Sequence, residues 1–120
     1  MGHVWVEAKI LNLDRTKSKK VSGLVDTGAT LSTLPAKLAK ELGIGITSED
    51  KIQTASGIIT IQKGRAIIRI EKKEELQPIW ISDIIDRVLI GSVTLETLGL
   101  KVNPITVKVE ETPLMLYSHF

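Results

Sequence analysis

One stretch sets a group able to give or take a proton inside an apolar frame: Leu24-Val25-Asp26-Thr27-Gly28-Ala29-Thr30-Leu31-Ser32-Thr33-Leu34. An apolar strand runs into Asp26-Thr27-Gly28 and a second apolar strand leaves it. The Asp26 carboxylate is thereby placed at a tight turn on the end of a buried strand, where it is a candidate for proton-transfer chemistry. Thr27 can hydrogen-bond within the turn, and Gly28 lets another backbone approach closely. As a bare tripeptide, Asp-Thr-Gly also reads as an ordinary β-turn, because Asp and Gly are common turn formers. The apolar sequence on both sides separates these readings, since an exposed turn needs no core-quality frame. The remaining aspartates, Asp14, Asp50, Asp83 and Asp86, lack that frame. Ser32 and Ser56 have no His-Asp arrangement near them, so a serine nucleophile is not indicated. His3 and His119 sit near opposite termini without metal spacing and read as solvated residues, so no metal or cofactor is expected. The chain has no cysteine, which excludes a thiol nucleophile, a disulfide framework and a Cys-type zinc site.

The elements that must position Asp26 are mostly strands. Val4 to Leu13 reads as a first strand, followed by a polar turn from Asn12 to Lys20, and Val21 to Val25 returns to deliver the chain to Asp26. Pro35 fits the first position of a short helix over Ala36 to Leu42, and Gly43 supplies its left-handed stop. Ile52 to Ala55 and Ile58 to Ile61 flank Ser56-Gly57, a tight hairpin turn. Ala66 to Ile70 and Pro78 to Ile81 read as strands on either side of a charged turn at Lys72 to Glu75. Val88-Leu89-Ile90 is a short apolar strand ending at Gly91, before a helix from Ser92 or Val93 to Leu98, closed by Gly99. Two last strands, Ile105 to Glu110 and Leu114 to Tyr117, are expected on either side of Pro113. The class is all-β with one or two short helices, and without a linker the chain reads as one domain over residues 1–120. Leu38 to Ile44 faintly echoes Thr94 to Leu100.

Composition narrows the function classes. The 120 residues are 42% hydrophobic, weighted to Ile, Leu and Val, with 3% aromatic, which suits a folded core of β-branched residues. The net charge is only +2, and the one tight basic group, Lys17, Lys19 and Lys20, reads as a solvated hairpin tip. A nucleic-acid surface would show a broader basic patch with aromatics for stacking, so no nucleic-acid partner is expected. Trp5 and Trp80 fall on strands as core or rim residues. No apolar run approaches the roughly 18 residues of a membrane span, and the N-terminus lacks a signal-peptide pattern. No membrane partner is expected, and a cytoplasmic setting is the simpler reading.

Asp26-Thr27-Gly28-Ala29, the hairpin at Ser56-Gly57, and Val88-Leu89-Ile90-Gly91 with its following helix occur in an order that resembles the retroviral-type (retropepsin-like) aspartic proteases, as a cellular or prokaryotic-like member. The resemblance covers nearly the whole chain. It implies a small closed β-barrel-like fold and hydrolysis of peptide bonds in a peptide or protein substrate. By position, Asp26 becomes the catalytic aspartate, Thr27 buttresses the dimer between two loops, and Gly28 and Ala29 support the active-site loop near substrate. Ser56 and Gly57 become the tip of a flap.

That chemistry uses two carboxylates sharing one proton, because two close like charges cannot both ionise cheaply. The ionised member activates a water and the protonated member donates to the developing oxyanion, which implies a bell-shaped pH–rate profile. The chain holds one Asp-Thr-Gly, so a homodimer must supply the second Asp26. The sequence departs from viral members at Thr30, where many have an acidic residue, at the single Gly57 of the flap, and at Ser92, which stands where they carry arginine. Two other readings stay open: a catalytically silent retropepsin-like module for dimerisation or peptide binding, and an unrelated small β-barrel binding RNA or a basic-patch partner.

Overall fold

The computed structural model describes residues 3–114. Strand β1 (Trp5–Leu11) pairs antiparallel with β2 (Ser18–Val25) along its whole length, from Trp5 opposite Leu24 to Leu11 opposite Ser18. The connection is tied by side chains: Asn12 Oδ1 accepts the Lys17 N–H at 3.0 Å, and Asp14 Oδ1 accepts from Thr16 N–H at 3.1 Å. This polar clasp leaves the whole of Ser18–Val25 to pair, so Lys19 and Lys20 lie within β2 and only Lys17 belongs to the turn.

Beyond Asp26 the chain forms β3 (Thr33–Pro35), helix α1 (Ala36–Glu41), β4 (Ser48–Thr54), β5 (Gly57–Ile70), β6 (Lys73–Ser82), β7 (Leu89–Ile90) and helix α2 (Ser92–Thr97). Neighbouring strands run in the order β1-β2-β7-β3-β6-β5-β4, and β1 also pairs with β5 through Ile10 opposite Ile68. The sheet therefore closes into a ring. One edge of β5 carries β6. Its other edge carries β4 over Gly57 to Lys63 and then β1 over Ile67 to Arg69. The β4–β5 hairpin consequently extends outward from the ring.

Period-2 alternation turns one face of each strand inward. Ile10, Leu34, Ile68, Ile70, Ile79 and Ile90 are fully buried and form the centre of the core. Burying an aliphatic side chain of this size contributes roughly 1.5–3 kcal/mol, so these residues dominate ring closure. Leu38 and Leu42 cover one end from α1 and its cap, and Leu95 and Leu98 pack from α2 and its cap. The faint sequence echo has a structural counterpart: both helices have six residues and end at a left-handed glycine, Gly43 or Gly99. Pro35 sits one position earlier than expected, at the helix cap and still in β3.

Three boundaries differ from expectation. The hairpin turn between β4 and β5 is Ala55-Ser56, with Thr54 opposite Gly57, because the Thr54 side chain closes it: its Oγ1 accepts from Ser56 N–H at 3.2 Å and donates to the Gly57 carbonyl at 2.8 Å. The charged turn narrows to Glu71-Lys72, with Glu71 left-handed and Lys73 already in β6. At the C-terminal end, β8 (Leu100–Asn103) pairs with β9 (Lys108–Glu111) as a separate hairpin. Ile105 to Val107, expected as strand, forms the turn, because Asn103 Oδ1 accepts from both Ile105 and Thr106 N–H at 2.9 and 3.2 Å. Leu114 is irregular, and the rest of the expected Leu114 to Tyr117 strand, with His119, lies outside the described residues.

Candidate active site

Asp26, Thr27, Gly28 and Ala29 form the loop that leaves β2, and its conformation is set by hydrogen bonds to its own backbone and to β7. Asp26 N–H donates to the Ile90 carbonyl at 2.9 Å, which anchors the aspartate to the end of β7. Gly28 N–H donates to Asp26 Oδ1 at 3.0 Å and Ala29 N–H to the Asp26 carbonyl at 3.1 Å, closing an Asx-type turn. One carboxylate oxygen is thus held by the loop that carries it. In the single chain Asp26, Thr27 and Gly28 are all exposed, where the sequence suggested a carboxylate at the edge of a buried frame. The frame is there, in Leu31, Leu34 and Ile90, but the loop itself stands at its rim.

The loop is clamped from below. Ser92 N–H at the start of α2 donates to the Ala29 carbonyl at 2.8 Å, and Val93 N–H to the Thr30 carbonyl at 3.0 Å. Just before them Gly91 presses directly on the loop: a Cβ there would meet the Leu31 carbonyl carbon at 2.6 Å and the Ala29 carbonyl oxygen at 2.9 Å. Only glycine allows this approach. The apolar-apolar-Gly element is therefore the surface on which the Asp26 loop rests.

A second set of contacts was not visible in the sequence. Ser32 and Thr94 are fully buried and Gln77 almost so, yet each has hydrogen-bond partners. Gly91 N–H donates to Ser32 Oγ at 3.0 Å, Ser32 Oγ lies 2.5 Å from Thr94 Oγ1, and Thr94 Oγ1 donates to Gln77 Oε1 at 2.6 Å. Gln77 Nε2 in turn donates to Thr97 Oγ1 at 3.0 Å. The only sequence signal was the presence of small hydroxyl residues in otherwise apolar runs.

Above the loop, the strands of the β4–β5 hairpin and the segment after β6 enclose a cleft of about 580 Å³ that holds Asp26 at its floor. Ile52, Ile59 and Ile61 line it from the hairpin, Trp80 from β6, and Ile84 and Leu89 from the far side. Ser56 and Gly57, expected as the flap tip, lie beyond that lining, so the hairpin's strands and not its tip meet the cleft. The hairpin is fixed at its base by Asp50, which sequence reasoning had set aside. Asp50 Oδ2 accepts from Trp80 Nε1 at 2.9 Å and lies 3.3 Å from Lys63 Nζ. The Trp80 hydrogen bond, helped by the Lys63 ammonium, holds the Asp50 carboxyl below the usual aspartate range against a smaller opposing effect of desolvation. Trp80 is accordingly a buried wall residue, whereas Trp5 is a half-exposed rim residue with the Arg87 guanidinium 5.8 Å from its ring centre. Among the described residues no helix is long and apolar enough to cross a membrane, and no three His, Asp or Glu side chains cluster as metal ligands.

Comparison with known proteins agrees with this layout. A family model described as "Aspartyl protease" matches residues 6–92, which span the ring, the Asp26 loop, the hairpin and the start of α2. No curated protein matches the chain in sequence. Among solved structures, the EIAV protease in complex with the inhibitor HBY-793 is similar, with a TM-score of 0.64 and 19% identity over 85% of this chain and 93% of that one. A retropepsin-like aspartic protease from Rickettsia conorii gives a TM-score of 0.58 and 21% identity over 85% and 77% of the two chains. The simian foamy virus (mac) protease gives 0.55 and 16% over 76% and 90%. These likenesses establish the fold as that of the retropepsin-like proteins.

Proposed function

The chain belongs to the aspartyl protease family, and from that premise we propose that it is an aspartic endopeptidase, one domain over residues 1–120, whose active form is a homodimer. The observation that carries this reading is the Asp26 loop itself: a carboxylate whose loop is braced from below by Gly91, exposed at the floor of a cleft that, among the described residues, is lined by no second carboxylate. A second copy, related by a twofold axis, brings its own Asp26 beside the first. Two carboxylates on the ~3 Å scale of a shared-proton pair hold one proton between them.

In the reaction, the ionised carboxylate accepts a proton from water as the water oxygen bonds to the scissile carbonyl carbon. The protonated carboxyl donates its proton to the oxygen that gains negative charge. Collapse of the tetrahedral species breaks the C–N bond as the carboxyl that took the water proton passes it to the leaving amine, and a diol hydroxyl returns its proton to the other carboxylate, restoring the one-proton pair. Gly28 and Ala29 present backbone beside the reacting bond, and exposed Thr27 stands next to Asp26 where the two loops would meet. The β4–β5 hairpin acts as the flap: its strands cover the cleft, exclude water, and offer an extended peptide a strand edge. The aliphatic lining from Ile52, Ile61 and Leu89 suits a polypeptide substrate seated by its side chains.

Specific activity measured against chain concentration, with sedimentation on the same samples, tests the reading. Activity per chain is expected to fall on dilution in step with loss of the dimer. An active monomer would contradict it.

A further inference from the structure

We propose that Ser32, Thr94 and Gln77 are positioning residues, a buried hydrogen-bond relay that fixes Gly91 against the Asp26 loop and so fixes the aim of the Asp26 carboxylate. The direction of every proton in the relay is determined by its ends. Gly91 has only an N–H to give, so Ser32 Oγ accepts it. Gln77 Nε2 donates to Thr97, and Thr97 Oγ1 donates to the Val93 carbonyl at 2.9 Å, so the Gln77 amide is oriented with Oε1 towards Thr94. Thr94 Oγ1 therefore gives its proton to Gln77 Oε1 and must receive one from Ser32 Oγ. One consistent order results: Gly91 to Ser32, Ser32 to Thr94, Thr94 to Gln77.

The relay ties α2 to β6, two elements with no backbone pairing between them, beside the β3–β6 ladder in which the Ser32 carbonyl accepts from Trp80 N–H at 2.9 Å. Ser32 lies between the Asp26 loop and β3, Gln77 on β6, and Thr94 on α2. Ser32 and Thr94 are 62 residues apart. Among the described residues, no buried side-chain nitrogen or oxygen is left without a partner, so each polar side-chain atom of the three has at least one hydrogen bond, within the trio or to Gly91 and Thr97. A hydrophobic trio of similar volume would fill the same space, but it would not give Gly91 N–H an acceptor or hold α2 at one rotation beneath the loop. Such networks fix one arrangement, and their members are coupled. The loop carries the reacting group, and displacement of about 1 Å in such a group costs on the order of 10²-fold in rate. None of the three side chains lines the cleft, so they act through Gly91 and α2.

The catalytic part of this inference rests on the protease reading, while the positioning part does not. Thr94→Val keeps the shape of the side chain and removes the relay's middle hydroxyl, and Thr94→Ser keeps the hydroxyl. Ser32→Ala is the milder second variant and removes the Gly91 acceptor directly. Two readouts are taken on the dimer: amide hydrogen exchange, and kcat and KM on a peptide beside wild type and Asp26→Asn. In Thr94→Val and Ser32→Ala, exchange is expected to quicken at Gly91 and Ala29 while the β5–β6 ladder stays protected. In both, kcat should fall about tenfold or more with KM little changed, and Thr94→Ser should restore both readouts. Unchanged exchange at Gly91, or a fall in melting temperature with kcat per folded dimer intact, would overturn the proposal. A wild-type chain without Asp26-dependent hydrolysis overturns the protease reading instead, and the exchange result still decides the positioning.

Discussion

The two walls of the cleft are built in opposite ways. The floor, which carries Asp26, is pinned by backbone hydrogen bonds to Ile90, Ser92 and Val93, by the close approach of Gly91, and by the buried polar groups behind it. The roof, the β4–β5 hairpin, is fixed at its base by the Asp50–Trp80 contact, and from Gly57 to Ile61 β5 pairs only with β4. Ile58, near the tip, is 68% exposed. Backbone held by buried contacts opens rarely, whereas a hairpin with one free edge opens at low cost. The proposed protease reading calls for the first property in the group that reacts and the second in the group that admits substrate. Both come from one sheet, because β5 is long enough to belong to the ring at one end and the hairpin at the other.

The largest break in this contrast is expected from Gly91→Ala. The added methyl has backbone and not a yielding side chain at 2.6 Å, so floor and loop must part. Overpacking of this kind costs about 1–3 kcal/mol, read by denaturant unfolding, and activity should fall with it. If Gly91→Ala were both stable and active, the clamp would not matter.

A more local effect, confined to the roof, is expected from Gly57→Val. Gly57 has φ +119°, a conformation that L side chains rarely adopt, while a Cβ there would meet nothing within 4 Å. The strain, about 1–3 kcal/mol at such a position, is local to the turn. Turnover should drop more than fold stability does. Unchanged kinetics would reduce the hairpin to ordinary sheet.

The smallest effect concerns acid. The Asp50 pKa is lowered in the folded chain, chiefly by the Trp80 hydrogen bond. A lowered carboxyl contributes stability that is present above its unfolded pKa and is lost as pH falls through the folded one. Hydrogen exchange within Ser48–Thr54, corrected for intrinsic rate, should therefore show loosening of the hairpin base as pH falls below about 4. Asp50→Asn should make that dependence disappear.

What was legible in the sequence tracks how local its causes are. The Asp26 frame could be read because the apolar residues that define it are its immediate neighbours, and the two short helices because Gly43 and Gly99 end them. The class of fold was legible for the same reason, through strand-length alternation. The order in which strands close the ring was not, since β1 meets β5 across nearly half the chain. Ile105 to Val107 has the composition of a strand, but the Asn103 side chain captures its amides and makes a turn. Asp50 looked unremarkable because its partner Trp80 is 30 residues away. The Ser32 relay was hidden most completely, because each of its members is a common polar residue and only the folded arrangement brings them together.

The central claim is that Asp26 carries the chemistry. Asp26→Asn replaces the carboxylate with an amide of the same shape that cannot share or transfer the proton. Hydrolysis of a peptide by purified Asp26→Asn dimer, measured beside wild type, should be lower by about 10²–10⁴-fold, the range general acid–base groups contribute, with the melting temperature and dimer retained. Hydrolysis at the wild-type rate by that variant would contradict the account.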